Sequence, residues 1–334
     1  MCSRSQSEIL FGGNTSVTYK LNKAGVSGGA IYSQEKCAIM FHENSTVRFI
    51  RYTTVTYEAN KPSISGAAIY SGKKCNILFD QNSALTFMDN RAEYGGVVFS
   101  VNYFQISFDG NTKVTYKGNY ASGNGAAIYS GKKCNILFGQ SSALTFMDNR
   151  AEYGGAVFSV SYSQISFDGN TTGTYKGNYA SGNGGALYSY KNCSITFDEN
   201  SKVTFSDNEA RLGGAVHSRS YSEISFDGNT SVTYKLNKAG GSGGAIYSHE
   251  RCTIMFRENS TVKFIGNHAT NEGTVYSTTY SDVLFNGNST VIFSKNGAVR
   301  FEGAVCSSSY SEISFGGSTV VTRNVSSCFM ITQQ

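Results

Sequence analysis

Apolar and polar residues alternate along short stretches of this chain, and the stretches recur. In Cys134-Asn-Ile-Leu-Phe138 and Ala143-Leu-Thr-Phe146, Ile136 and Phe138 fall on one side of a strand, and Leu144 and Phe146 on one side of the next. The period of two predicts β-strands, and Gly, Asn, Asp and Ser at the joints predict turns. A third strand is predicted at Gly125–Ser130, where a Gly-Gly-Ala-Ile-Tyr-Ser element or a close variant begins each unit. That element starts at 28, 66, 95, 125, 154, 184, 213, 243, 272 and 302, and after the first interval of 38 its spacings alternate 29 and 30. Three strands in that length make one coil of a parallel β-helix. The fold class expected is therefore all-β: a right-handed parallel β-helix, or solenoid, of about ten coils of 29–30 residues with three short strands per coil. Coils stacked at roughly 4.8 Å give a rod of about 50 Å.

Alternation extends to pairs of coils, with a joint period of 59. One coil type carries Cys37, Cys75, Cys134, Cys193 and Cys252 ahead of the second strand; the other carries Ser7, Phe104, Ser163, Ser222, Ser281 and Ser311 there. Tandem duplication explains this, since 66–124 is nearly repeated by 125–183. The interval of 38 is 21 short of 59, so an irregular coil is expected near 50–65, close to Pro62, the single proline. The domain reading is one β-helix repeat domain over 1–320, with a C-terminal tail at 321–334.

Stacking turns repeated residues into ladders. Ile77/Phe79, Ile106/Phe108, Ile165/Phe167, Ile195/Phe197, Ile224/Phe226 and Ile254/Phe256 are the predicted core, the continuous interior that a solenoid needs. Asparagines three residues after a Phe, among them Asn82, Asn90, Asn111, Asn170, Asn200, Asn208 and Asn229, are expected to bond the asparagine of the next coil.

Composition narrows the classes. Only 15% of the 334 residues are charged, while Tyr and Phe number 22 each and Gly 37, which argues against disorder. The net charge of +5 is thinly spread, so no nucleic-acid partner is expected. No apolar run is long enough to span a membrane as a helix, and Met1–Ile9 lacks the apolar core of a signal peptide.

Gly-Gly-Ala-(Ile/Leu/Val) paired with Phe-x-x-Asn resembles the repeat signature of the polymorphic outer membrane proteins, known best from chlamydiae. The resemblance runs from Phe11 to about Phe315. It implies a β-helical adhesive passenger carried to the surface by a C-terminal barrel, but neither a signal peptide nor barrel-like strands are legible here.

Candidate chemistry is sparse. The laddered cysteines lie two coils apart, about 9.6 Å at the usual strand spacing, beyond disulfide reach, and read as buried thiols; Cys2, Cys306 and Cys328 stand outside that ladder. Asp80, Asp109, Asp168, Asp198 and Asp227 occupy repeat positions, and His42, His217, His249 and His268 are scattered, so no unique acid or base cluster is expected. Thr86, Thr115, Thr145, Thr174, Thr204 and Thr233 form one outward column, where a flat ice-ordering face needs paired columns. Leu78, Ser107, Leu137, Ser166, Thr196 and Ser225 form another outward stripe, a candidate contact surface. Asn-x-Ser/Thr sequons at Asn14, Asn44, Asn170, Asn192, Asn229, Asn259, Asn288 and Asn324 follow mostly from the repeat.

The sequence thus predicts no catalytic, cofactor-binding or metal-binding residues and no cofactor. It reads as a structural or adhesive rod contacting a host or neighbouring cell-surface protein or glycan, at the cell surface or outside the cell if exported within a longer protein. End-to-end stacking with further repeats fits its open ends. The alternative is a pectin-lyase-like polysaccharide lyase or hydrolase, suggested by fold analogy alone.

Overall fold

The computed structural model describes residues 68–73, 76–299, 304–316, 318 and 320–324, and before these only the backbone of eight short strands between Cys2 and Thr54. The chain winds as a parallel β-solenoid. Each coil adds one strand to each of four parallel sheets, three of eleven strands and one of ten. In the coil beginning at Gly125 the strands are Ile128–Lys132, Asn135–Phe138, Ala143–Met147 and Arg150–Ala151; we call the corresponding sheets first to fourth. The expected class is met, with two differences. Cys2–Ser3 adds an eleventh strand to the first sheet without a preceding glycine element. The fourth strand was not foreseen, because two residues are too few to show alternation. Pro62 and most of the irregular coil expected near 50–65 lie outside the described residues, as do Cys37, Cys75 and Cys328.

Register explains the ladders. Phe108 pairs with Phe138, and Phe138 with Phe167, so like residues stack through the whole rod. The Phe column of the second sheet runs from Phe79 to Phe315 with ring centroids 4.4–5.0 Å apart and nearly parallel planes. On the third sheet Phe87, Tyr116, Phe146, Tyr175, Phe205, Tyr234, Phe264 and Phe293 make a second stack at 4.7–5.0 Å. Burial of these rings and of the Ile, Leu and Val beside them supplies the driving force for stacking coils.

Tyr116, Tyr175 and Tyr234 are fully buried, and their hydroxyls have no hydrogen-bond partner. Burial holds all three phenols protonated, with pKa values raised above the usual range. A buried hydroxyl without a partner costs free energy that a phenyl ring does not. Replacing all three by Phe, the residue the alternate coils carry, is expected to raise the thermal midpoint, each site contributing about 1 kcal/mol. A lower midpoint in a calorimetric melt would show that these hydroxyls are solvated.

The asparagines divide into two kinds. Asn90, Asn119, Asn149, Asn178, Asn208, Asn237, Asn267 and Asn296 follow the third strand and form the expected ladder. In it Asn149 Nδ2 donates to Asn178 Oδ1 at 2.9 Å and to the Tyr116 carbonyl at 3.1 Å, while its backbone N–H also reaches Asn178 Oδ1 at 3.1 Å. Each side chain thus closes the turn and joins two coils. Asn82, Asn111, Asn170, Asn200 and Asn229 precede the third strand and are exposed, with φ of 56–60°. They serve as left-handed turn residues, a conformation Asn tolerates, and not as rungs.

The glycine pair has its own reason. Gly154 has φ +61°, and a Cβ on Gly155 would lie 2.2 Å from the Gly185 carbonyl oxygen of the next coil. The first glycine supplies the turn and the second a close approach of backbones.

Candidate contact surface

Cys134, Cys193 and Cys252 are buried and free, as expected, and burial pushes the Cys134 and Cys252 thiols up, away from reactive thiolate. Cys306 is likewise buried and free. Asp80, Asp109, Asp168, Asp198 and Asp227 run along one corner. Partial burial raises the Asp109 and Asp168 carboxyls, and Asp198, which also feels its acidic neighbours; Asp227 meets Arg257 at 3.4 Å. Among the described residues no group of three or more His, Cys, Asp or Glu is placed to hold a metal ion. The Thr column is in register as expected, half-buried, and stops where Thr233 pairs with Lys263. The Leu78 stripe offers little as a contact surface, since its members are at most half-exposed and Ser107 and Ser225 are buried.

A different surface stands out. At the corner between the first and second sheets, Tyr103, Lys133, Tyr162, Asn192, Tyr221, Arg251, Tyr280 and Tyr310 occupy one position in successive coils. All eight have left-handed backbones, with φ between 48° and 62°. The five tyrosines are 50–71% exposed. Cations sit among them: Lys133 Nζ lies 5.2 Å from the Tyr103 ring centre, and the Arg251 guanidinium 5.6 and 5.5 Å from those of Tyr221 and Tyr280. Tyr280 and Tyr310 stack at 5.1 Å.

A left-handed backbone costs an L-residue with a Cβ roughly 1–2 kcal/mol, and bulky side chains are uncommon there. The turn needs only Gly or Asn, and Asn192 shows that Asn suffices. Large aromatic rings are thus held outward at a strained turn mainly in alternate coils, where Gly or Asn would serve the turn alone. The sequence signal was available, as Tyr recurs at 103, 162, 221 and 280 with a spacing of 59. Beside a strand, however, a Tyr reads as a strand former.

One grouping of charged and titratable residues outside the repeat pattern lies around His217. Arg219 Nε lies 3.7 Å from Glu250, and the charges of Arg219, of His249 and of Arg211, in the turn that leads into the first sheet, all bear on His217. His217 is buried between Tyr188 and Tyr247, at 4.7 and 4.8 Å, and burial holds it neutral, its pKa lowered well below the ordinary value. Among the described residues no helix is long and apolar enough to cross a membrane.

Fold and surface together define a repeat-built parallel β-solenoid with a buried ladder core and an outward aromatic ridge. Two of its units, residues 8–34 and 223–249, match the Chlamydia polymorphic membrane protein repeat, so the chain carries that repeat. It is 36% identical over 89 residues to a protein described as probable outer membrane protein pmp6 of Chlamydia pneumoniae, an alignment covering 26% of this chain and 7% of the relative. The chain thus aligns with only a small part of that relative's length. No solved structure matches.

Proposed function

We propose that this chain is a surface-exposed structural and adhesive rod, and that the Tyr–cation ridge makes its repeated contacts. The ridge carries the reading, because it sets exposed aromatic rings at the cost of backbone strain in every coil pair. Aromatic residues and Arg dominate contact energetics where they can be desolvated, and equivalent contacts along a rigid rod add through effective concentration. The likeness to an outer membrane protein supports a place at the cell surface.

The test replaces Tyr103, Tyr162, Tyr221, Tyr280 and Tyr310 by Asn. Because Asn suits the left-handed turn, the variant is expected to melt at or above the parent temperature. Beads coated with it should bind cultured epithelial cells at least ten-fold less than beads coated with the parent. Equal binding by the two proteins would remove the ridge from the adhesive surface.

A further inference from the structure

The outer face of the first sheet carries a column of rings, Phe99, Tyr129, Phe158, Tyr188, His217 and Tyr247. Phe99 and Tyr129 stack at 4.7 Å and 18°, but at Phe158 and Tyr188 the planes turn to 60°. There a groove of about 470 Å³ opens, lined by Tyr153, Asn183, Tyr190, Arg211 and Arg219 among others, with the Arg211 backbone N–H bonded to the Gly182 carbonyl beside Asn183.

This is where the duplicated units diverge. Arg211 stands where Glu93 and Glu152 stand in the coils two and four before it. Tyr190 and Arg219 stand where the preceding coils have Gly131 and Val160. The lining residues include two arginines and no carboxylate. Among the described residues Arg211 has no ion pair; Arg219 has one, with Glu250, both of whose side chains are over two-fifths exposed, a weak and screened contact, and its guanidinium also bonds Tyr188 and lies 5.6 Å from the Tyr190 ring centre. Asn183, 8% exposed, lines the groove with its Oδ1 unpartnered, so a buried acceptor waits for a donor. Its volume suits a small ligand.

We propose that this groove binds a sugar acid, as the end or a segment of an anionic oligosaccharide. Each part of the ligand has a counterpart. The carboxylate pairs with Arg211 and Arg219, whose planar forks match it. A hydroxyl donates to Asn183 Oδ1, and the apolar ring face packs on Phe158 and Tyr188. The proposal rests on the adhesive reading but uses residues apart from the ridge.

The test titrates the purified chain with a tetrasaccharide of glucuronic acid and with the same tetrasaccharide reduced at its carboxyl groups to neutral sugar. The acidic form should bind, and the reduced form at least ten-fold more weakly. Arg211→Glu, which restores the residue other coils carry there, and Arg219→Gln should each lower affinity at least ten-fold with unchanged melting. Absence of binding by the acidic tetrasaccharide, or equal binding of the reduced one, overturns the proposal. Equally tight binding of a hexaglutamate peptide would reassign the groove to carboxylates at large and overturn the sugar part. Tyr310→Asn lies coils beyond Arg219 and should leave sugar binding intact. Loss of cell adhesion in the ridge variant with sugar binding retained separates the two surfaces.

Discussion

Phe197→Ala is expected to destabilise the rod by about 3–5 kcal/mol and to split its unfolding in two. The side chain is fully buried, its ring 4.4 Å from Phe167 and 4.8 Å from Phe226, so truncation leaves a cavity and breaks two stacked contacts at once. A solenoid has no distant core to compensate, because each coil touches only its neighbours and stability is a sum of coil and interface terms. The loss therefore falls on two adjacent interfaces. Urea unfolding followed by circular dichroism should show an added transition at lower denaturant. Hydrogen exchange should place the early opening around residues 167–226. One cooperative transition at the parent midpoint would contradict the nearest-neighbour picture.

Asn208→Ala is expected to cost about as much, although it removes far less apolar surface. Asn208 Nδ2 donates to Asn237 Oδ1 at 2.9 Å and to the Tyr175 carbonyl at 3.0 Å; its Oδ1 accepts from the Asn178 backbone N–H and Nδ2, each at 3.0 Å. All the partners are buried among neighbouring coils and no water replaces the lost amide easily. Each stranded polar group costs on the order of 1–3 kcal/mol, so a total near 3 kcal/mol or more is expected. Asn200→Ala is the matched control: it removes an exposed asparagine whose φ of 59° costs alanine roughly 1–2 kcal/mol. If the two variants melt alike in calorimetry, the ladder contributes no more than a turn does.

The contrast between Asn200 and Asn208 shows what was legible in the sequence. Both sit three residues after a Phe, and only position relative to the third strand separates turn residue from rung. Period, coil length and the Ile and Phe ladders were readable because a buried strand face repeats every two residues and every coil repeats the face. Arg150–Ala151 was not, since a two-residue strand has no period. The ridge was hidden because Tyr103 and its copies look like strand residues until their φ is known. The groove was hidden for a different reason. Asn183, Arg211 and Arg219 sit at outward positions of different coils, and only the turn from the fourth sheet back to the first brings them to one opening.

The parallel ladders also fix how the rod behaves under load. Every bond between coils, such as Ile128 N–H to the Ala156 carbonyl at 3.0 Å, points along the axis. Tension on the two ends therefore opens one ladder at a time, as a zipper does, and does not shear all ladders together. Each coil that peels away frees about 30 residues, close to 100 Å of extended chain, against the roughly 4.8 Å it occupied when stacked. A molecule tethered at one end and attached at the other would lengthen stepwise under a sudden pull, taking up the shock while the attachment holds, and would rewind from its remaining coils when the load falls.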